Sequence, residues 1–329
     1  MNRVEALDNK ATFKQNLSKY GIYVVIVLLI ILFSFSNPEF LTVNNFLLML
    51  QQLSPLGIAV IGMTYVLFVG NIDISVGRVM YVSCVVVGEV IRALPENILS
   101  SPLLYLICFA IVIAIGAAFG LVNGLLVAKL NIFPFLVTLV TGYIARGIGL
   151  TIAGVNKYDV SILAPVTNAR VGGIPIVFIV FIVLALLMEY VLRYRRFGKN
   201  SMAVGNNRVA AKHVGINVEK HQIYVHVLCS IMAAIGGLFS AGQISEVFTT
   251  FGENNEFSII TAAVIGGVSL FGGKGSVLSG ALIGMFLVQL ILNGLSMFNA
   301  SVYVYNIVRG LIIFLAVMLD SVNNKGELR

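Results

Sequence analysis

The run from Leu103 to Ala128 carries no charged side chain and is apolar on every helical face. A helix at a protein surface buries one stripe and wets the other, so an all-round apolar run of this length belongs in lipid. About ten stretches of this kind follow one another, near 20–36, 46–69, 74–91, 103–128, 134–154, 174–192, 221–243, 257–271, 276–294 and 301–319, with polar or Gly/Pro-rich breaks between them. Barrel strands would alternate apolar and polar residues, and these runs do not. The expected fold class is all-α, a polytopic membrane helical bundle of about ten transmembrane helices. Composition agrees, since 59% apolar and 11% charged residues leave too little charge to cover a soluble body. The same ratio excludes an intrinsically disordered chain, and a net charge of +7 that gathers into no basic face excludes nucleic acid as a partner.

An even number of crossings puts both termini on one side, and Lys/Arg bias decides which. With a cytoplasmic N-terminus, Arg92, Lys157 and Arg170 lie outside and Arg146 and Arg309 fall within spans, while all the others of the 21 Lys and Arg are cytoplasmic. The chain then divides into a cytoplasmic N-terminal segment (1–19), a transmembrane domain (20–319) with a cytoplasmic loop at 193–220, and a cytoplasmic tail (320–329). Glu246, Glu253 and Glu256 are assigned to outside loops. The first apolar stretch has no small-x-small cleavage site and reads as a retained span. Cys84, Cys108 and Cys229 sit apart inside apolar spans without metal or redox spacing, so they read as small buried hydrophobes.

No catalytic constellation is visible. His213, His221 and His226 cluster at the cytoplasmic end of the seventh span, with no HExxH, nucleophile elbow or carboxylate pair beside them. No catalytic or metal site is therefore expected. Gly272-Gly273-Lys274-Gly275-Ser276 falls short of a phosphate loop, because Val268 stands at the first glycine position and Gly275 follows the lysine; it reads as a tight break. Gly116, Gly120 and Gly124, and later Gly280 and Gly284, place small faces where helices in lipid pack closely.

Ionisable and amide groups inside the membrane are the functional candidates. Gly70 to Arg78 interrupts two apolar runs with Asn71, Asp73, Ser75 and Arg78. Two readings stand: a broken helix or re-entrant turn lining a cavity, with Asp73 and Arg78 paired across one turn, or a cytoplasmic turn in which Asp73 or Ser75 caps the next helix. Asn123, Arg146 and Asn293 join them as translocation-pathway candidates. Most other polar groups in spans, among Glu89, Glu189, Gln289 and Arg309, read as snorkelling near helix ends. The basic loop from Arg193 to Lys220 has Glu219 as its one acid and is too short for a domain with its own core. Within it Asn207 to Val214 reads as a short helix, apolar at Val209, Ala210 and Val214, with Arg208 and Lys212 opposite and Gly215 ending it. Such a helix can dock into a partner's groove.

Gly-Asn-Ile-Asp-Ile-Ser-Val-Gly (70–77), Arg-Phe-Gly-Lys-Asn with Ala203, Gly205 and Asn206 (196–206), Ala210-Ala211 with Gly215-Ile216-Asn217-Val218, and the run from Ala262 to Gly273 resemble the membrane permeases of ribose/galactose/xylose-type ABC importers. The resemblance extends from about residue 20 to Asp320. It implies a multi-pass subunit of the bacterial cytoplasmic (inner) membrane that dimerises with a second copy or a related permease. It also implies a sugar-binding protein on the extracytoplasmic side and a P-loop ATPase on the cytoplasmic side. ATP and Mg would be bound by that ATPase, and this chain would hold no cofactor of its own. Arg196, Phe197, Gly198, Asn206, Ala210, Ala211 and Gly215 are the implied ATPase-coupling residues. Two departures stand out: Val209 where the family commonly has Glu, and Ser258 where it commonly has an acid two residues after Glu256. The rival reading is an ion-coupled secondary carrier or channel for a small polar solute, for which Asp73, Glu89 and Arg146 are too scattered to form a coupling network.

Overall fold

A computed structural model of the chain describes residues 21–35, 37–154 and 157–323. The expected N-terminal segment and most of the tail lie outside these residues. The helices longer than one turn, in order, are α1 (Gly21–Phe35), α2 (Val43–Phe68), α3 (Val76–Ala93), α4 (Leu103–Leu130), α5 (Pro134–Ala153), α6 (Ile176–Tyr194), α7 (Arg196–Asn206), α8 (Arg208–His213), α9 (Val218–Ile244), α10 (Asn255–Ile265), α11 (Ser279–Met297) and α12 (Val302–Asn323). Of these, α2, α4, α5, α6, α9 and α11 are long and apolar enough to cross a membrane. The helical-bundle class is borne out.

Four of the ten expected spans are not among these: 20–36, 74–91 and 301–319 form α1, α3 and α12, and one is corrected outright. The stretch 257–271 yields only α10, whose 11 residues rise about 16 Å against the roughly 30 Å of a hydrocarbon core. Gly266 ends the helix and Gly267 takes φ +92°, so the apolar run continues as a turn.

At the centre lies α2, buried along most of its length and packed antiparallel to α9. The glycine pattern explains how close the helices come. Gly116, Gly120 and Gly124 of α4 face Ile231, Val227 and Ile223 of α9, and a Cβ at Gly120 would stand 2.5 Å from Val227 Cα. Pro55 inside α2 leaves the Gln51 carbonyl without its usual helical donor, and the Gln243 side chain of α9 supplies one at 2.8 Å. A one-turn π-helix opens α11 at Ser279–Gly284, where Gly284 lies against the Ala262 carbonyl of α10. All three cysteines are free and buried, as expected. Gly120→Leu forces α4 off α9, and overpacking of this kind costs about 1–3 kcal/mol or more. A lowered unfolding midpoint in detergent is the expected result.

The two ends of the bundle differ. At one, Tyr158–Asp159 pairs antiparallel with Glu246–Val247, and Lys157 bridges Glu246 at 2.7 Å. At the other, α7 and α8 lie across the turns that follow α2 and α10.

Candidate functional site

Residues 69–75 leave helix geometry because Gly70 takes φ +70°, and the chain turns back into the bundle with neither helix nor strand. Depth follows from the neighbours. Ser75 meets Asn123, about 10 Å from the Leu130 end of α4, and Asp73 meets His226, about 12 Å from the Val218 end of α9. The segment thus turns back into the bundle and is buried in protein, and Ser75 makes no side-chain cap on α3.

From the opposite end, residues 248–254 return inward after α9. Arg146 of α5 holds them, donating to the carbonyls of Phe251 (2.9 Å) and Thr249, pairing with Glu253 at 2.6 Å, and lying 4.2 Å over the Tyr81 ring. The two re-entrant segments meet where Gly77 and Gly252 touch backbone to backbone; a Cβ on either would strike the other's carbonyl. There α3 and α10 both begin, so two helix N-termini converge inside the bundle. Arg78 reaches Glu256 across this meeting at 3.9 Å, with Tyr143 stacked 4.3 Å from its guanidinium. Arg78 Nη1 and Glu256 Oε2 are buried without a hydrogen-bond partner among the described residues.

Two expectations are corrected here. Asp73 does not pair with Arg78, because α3 starts only at Val76 and Asp73 lies before it on the irregular stretch, while Arg78 faces Glu256. Glu256 is not in an outside loop, since it is buried in the first turn of α10.

Asp73 instead ends two hydrogen-bond chains. Arg208 of α8 donates to Asn71 Oδ1 (2.7 Å) and to the Val69 carbonyl (3.0 Å). That fixes the Asn71 amide with Nδ2 toward His226 Nε2 at 3.3 Å, which places the imidazole proton on Nδ1, 3.4 Å from Asp73 Oδ2. On the other side Thr141 donates to Asn123 (2.5 Å), Asn123 to Ser75 Oγ (2.9 Å), and Ser75 to Asp73 Oδ1 through Oγ (2.6 Å) and its backbone N–H (2.9 Å). Every donor points toward the one carboxylate. Asn71, Asp73, Ser75, Asn123 and His226 are at most 1% exposed.

The loop that carries Arg208 consists of two helices where one was expected. Asn207 ends α7 and caps α8, its Oδ1 accepting the Ala210 N–H at 2.9 Å, and Gly215 closes α8 at φ +85°. Gly205 sits against the Phe68 carbonyl and the Gly273 nitrogen, and Asn206 against Gly273, so the loop touches both turns of the bundle. Val209 and Val214 are exposed, and Arg208, itself open to solvent over part of its surface, sends its guanidinium inward to Asn71. Burial lowers the Arg208 pKa from its ordinary value, a shift that leaves a guanidinium charged. Of the implied coupling residues, Arg196, Asn206, Ala210 and Gly215 are exposed and Phe197 is half-buried on Tyr65 and His221. Gly198 and Ala211 are buried, Gly198 against Val191 and Leu192 of α6, so they shape the loop from beneath.

Asn293 lies apart from this network, in a reciprocal amide pair with Asn45 of α2. Sequence reasoning missed His226 and Glu189. Glu189 is buried in α6 and accepts from Ser276 Oγ and the Val277 and Leu278 N–H groups, capping α11, while Arg193 bonds its other oxygen at 2.6 Å.

Residues 45–317 match the family described as branched-chain amino acid transport system / permease component. The chain belongs to this permease family. The permease is 32% identical to the ribose import permease protein RbsC of Haemophilus influenzae, over 91% of this chain and 92% of that one. It is 33% identical to the galactose/methyl galactoside import permease protein MglC of Escherichia coli K12 (95% and 97%) and 31% to the D-allose transport system permease protein AlsC of the same strain (93% and 93%). No solved structure matches the permease. Its resemblance to monosaccharide ABC-importer permeases, read from its motifs, is borne out.

Proposed function

We propose that this permease is the membrane subunit of an ATP-driven importer of a monosaccharide, working by alternating access with a separate ATPase and an extracytoplasmic binding protein. The observation that carries this reading is the pair of re-entrant segments meeting inside the bundle, with the α7–α8 loop touching the start of the first and the turn that follows α10. A discontinuous helix pair with unpaired polar groups is the form in which transporters build a solute path, because freed backbone and side-chain groups are tolerated in the membrane only where they line a cavity. The chain crosses ten times in this reading, the eighth crossing being residues 248–254 followed by α10. Both termini are then cytoplasmic, as Lys/Arg bias requires.

The loop supplies the coupling. A docked ATPase that shifts α8 pulls Arg208, and with it Asn71 and the Val69 carbonyl, relative to His226 and Asp73. Because Asp73 also gathers Ser75 and Asn123, movement of the loop is felt at the start of α3, where Arg78 and Glu256 bar the path. Uptake fits this arrangement, with solute released from the binding protein entering at the far end. Tagging the chain, extracting it in mild detergent and identifying co-purified proteins by mass spectrometry tests the partnership. A P-loop ATPase is expected; its absence across several detergents and after cross-linking from the loop, with uptake driven by an ion gradient, contradicts the reading.

A further inference from the structure

At the end of the bundle away from α7 and α8, a cavity of about 390 Å³ opens between α2, α11 and α12. Its volume lies within the roughly 300–1,000 Å³ of small-molecule sites. Asn45 and Gln52 of α2, Gln289, Asn293 and Ser296 of α11, and Tyr305 of α12 supply its polar lining, and the rest is Leu and Met. Gln52 stands about 14 Å along α2 from Val43 and is exposed, a depth at which an amide facing hydrocarbon is costly. That face is therefore turned away from lipid.

The hydrogen bonding is half complete. Asn45 and Asn293 exchange bonds of 3.1 and 2.9 Å, and Gln289 Nε2 donates to Gln52 Oε1 at 2.8 Å. Gln52 Nε2 and Gln289 Oε1 make no such bond among the described residues, which leaves a donor and an acceptor side by side. Asn45, Gln289 and Asn293 are each 7% exposed, so the amides are held in place by the helices. Neighbouring hydroxyls on a sugar ring, each both donor and acceptor, match an amide pair of this kind. The lining holds no charged side chain, and a zwitterion would enter without counter-charges. Tyr305 adds an aromatic face.

We propose that this cavity is a binding station for an uncharged, polyhydroxylated solute, and that it selects monosaccharides over amino acids. The proposal rests on the importer reading above and adds the site and its discrimination against charged solutes. The test uses the full complex of permease, ATPase and binding protein in liposomes, with ribose, galactose, allose and leucine as probes. Gln289→Leu is expected to raise the KM for the imported sugar at least tenfold, and Gln289→Glu to impair it similarly, with the ATPase still co-purifying. In Gln52→Cys, the imported sugar is expected to slow labelling by a water-soluble maleimide severalfold and leucine to leave it unchanged. This second readout reports binding even where a variant transports poorly. Unaltered KM in Gln289→Leu, or labelling indifferent to sugar, overturns the station. Spontaneous disulfide formation between Gln52→Cys copies, unaffected by sugar, overturns it in favour of a seam between two permeases. If the unmodified complex imports no sugar, the importer reading fails first; if it imports sugar normally in both Gln289 variants, only the station fails.

Discussion

Asp73→Leu is expected to abolish sugar uptake while the chain still reaches the membrane. The substitution leaves the Ser75 N–H and the His226 Nδ1–H without an acceptor in a fully buried place, at about 1–3 kcal/mol for each orphaned donor. Two such donors make the packed re-entrant segment at least ~30-fold less populated, since about 1.4 kcal/mol is a factor of ten. Asp73→Asn is expected to fall between the two, because it keeps the size but turns a donor toward groups that already donate. Uptake into membrane vesicles, normalised to the amount of permease by immunoblot, is the measurement. Wild-type uptake in Asp73→Leu would make residues 70–75 a passive turn.

Replacing both Val209 and Val214 by Lys is expected to strip the ATPase from the complex. These two side chains, 67% and 77% exposed, form the apolar part of α8 and its end that faces away from the bundle, while Ala211 and Arg208 tie the helix down from beneath. A buried apolar anchor at an interface is worth about 2 kcal/mol or more, and two added charges on an already basic loop also repel. ATPase recovery after mild extraction should drop at least ~30-fold on the tenfold-per-1.4 kcal/mol scale. The Asp73 network should remain intact, which the thermal midpoint of the isolated permease reports. Undiminished ATPase recovery would move the docking surface away from α8.

The parts of this fold that depend on local composition were legible in the sequence. Apolar runs located the helices, and Gly116, Gly120 and Gly124 announced the tight α4–α9 contact because a four-residue spacing is itself a helix face. The polar break at Gly70 to Arg78 was visible for the same reason. What it bonds to was not. His226 and Arg208 come to Asn71 and Asp73 from more than a hundred residues away, and nothing near His226 in the sequence separates it from an ordinary core histidine. Glu189 read as a helix-end carboxylate because the N-terminus it caps belongs to α11, far along the chain. The span at 257–271 failed for a related reason: hydropathy records that a stretch is apolar, not that Gly266 and Gly267 stop its helix at half length. The second re-entrant segment, 248–254, had no sequence signal beyond its polarity, and its position depends on Arg146 reaching its carbonyls from α5.

Transport by the reconstituted complex tests the central claim most directly. The permease, its co-purified ATPase and the cognate binding protein are assembled in liposomes, and labelled sugar uptake is followed with and without ATP on the ATPase side. The account predicts uptake that requires ATP and the binding protein, persists when ion gradients are collapsed, and is lost in Asp73→Leu. Uptake that proceeds without ATP and vanishes with the ion gradient would contradict it, and the chain would then be a self-sufficient carrier.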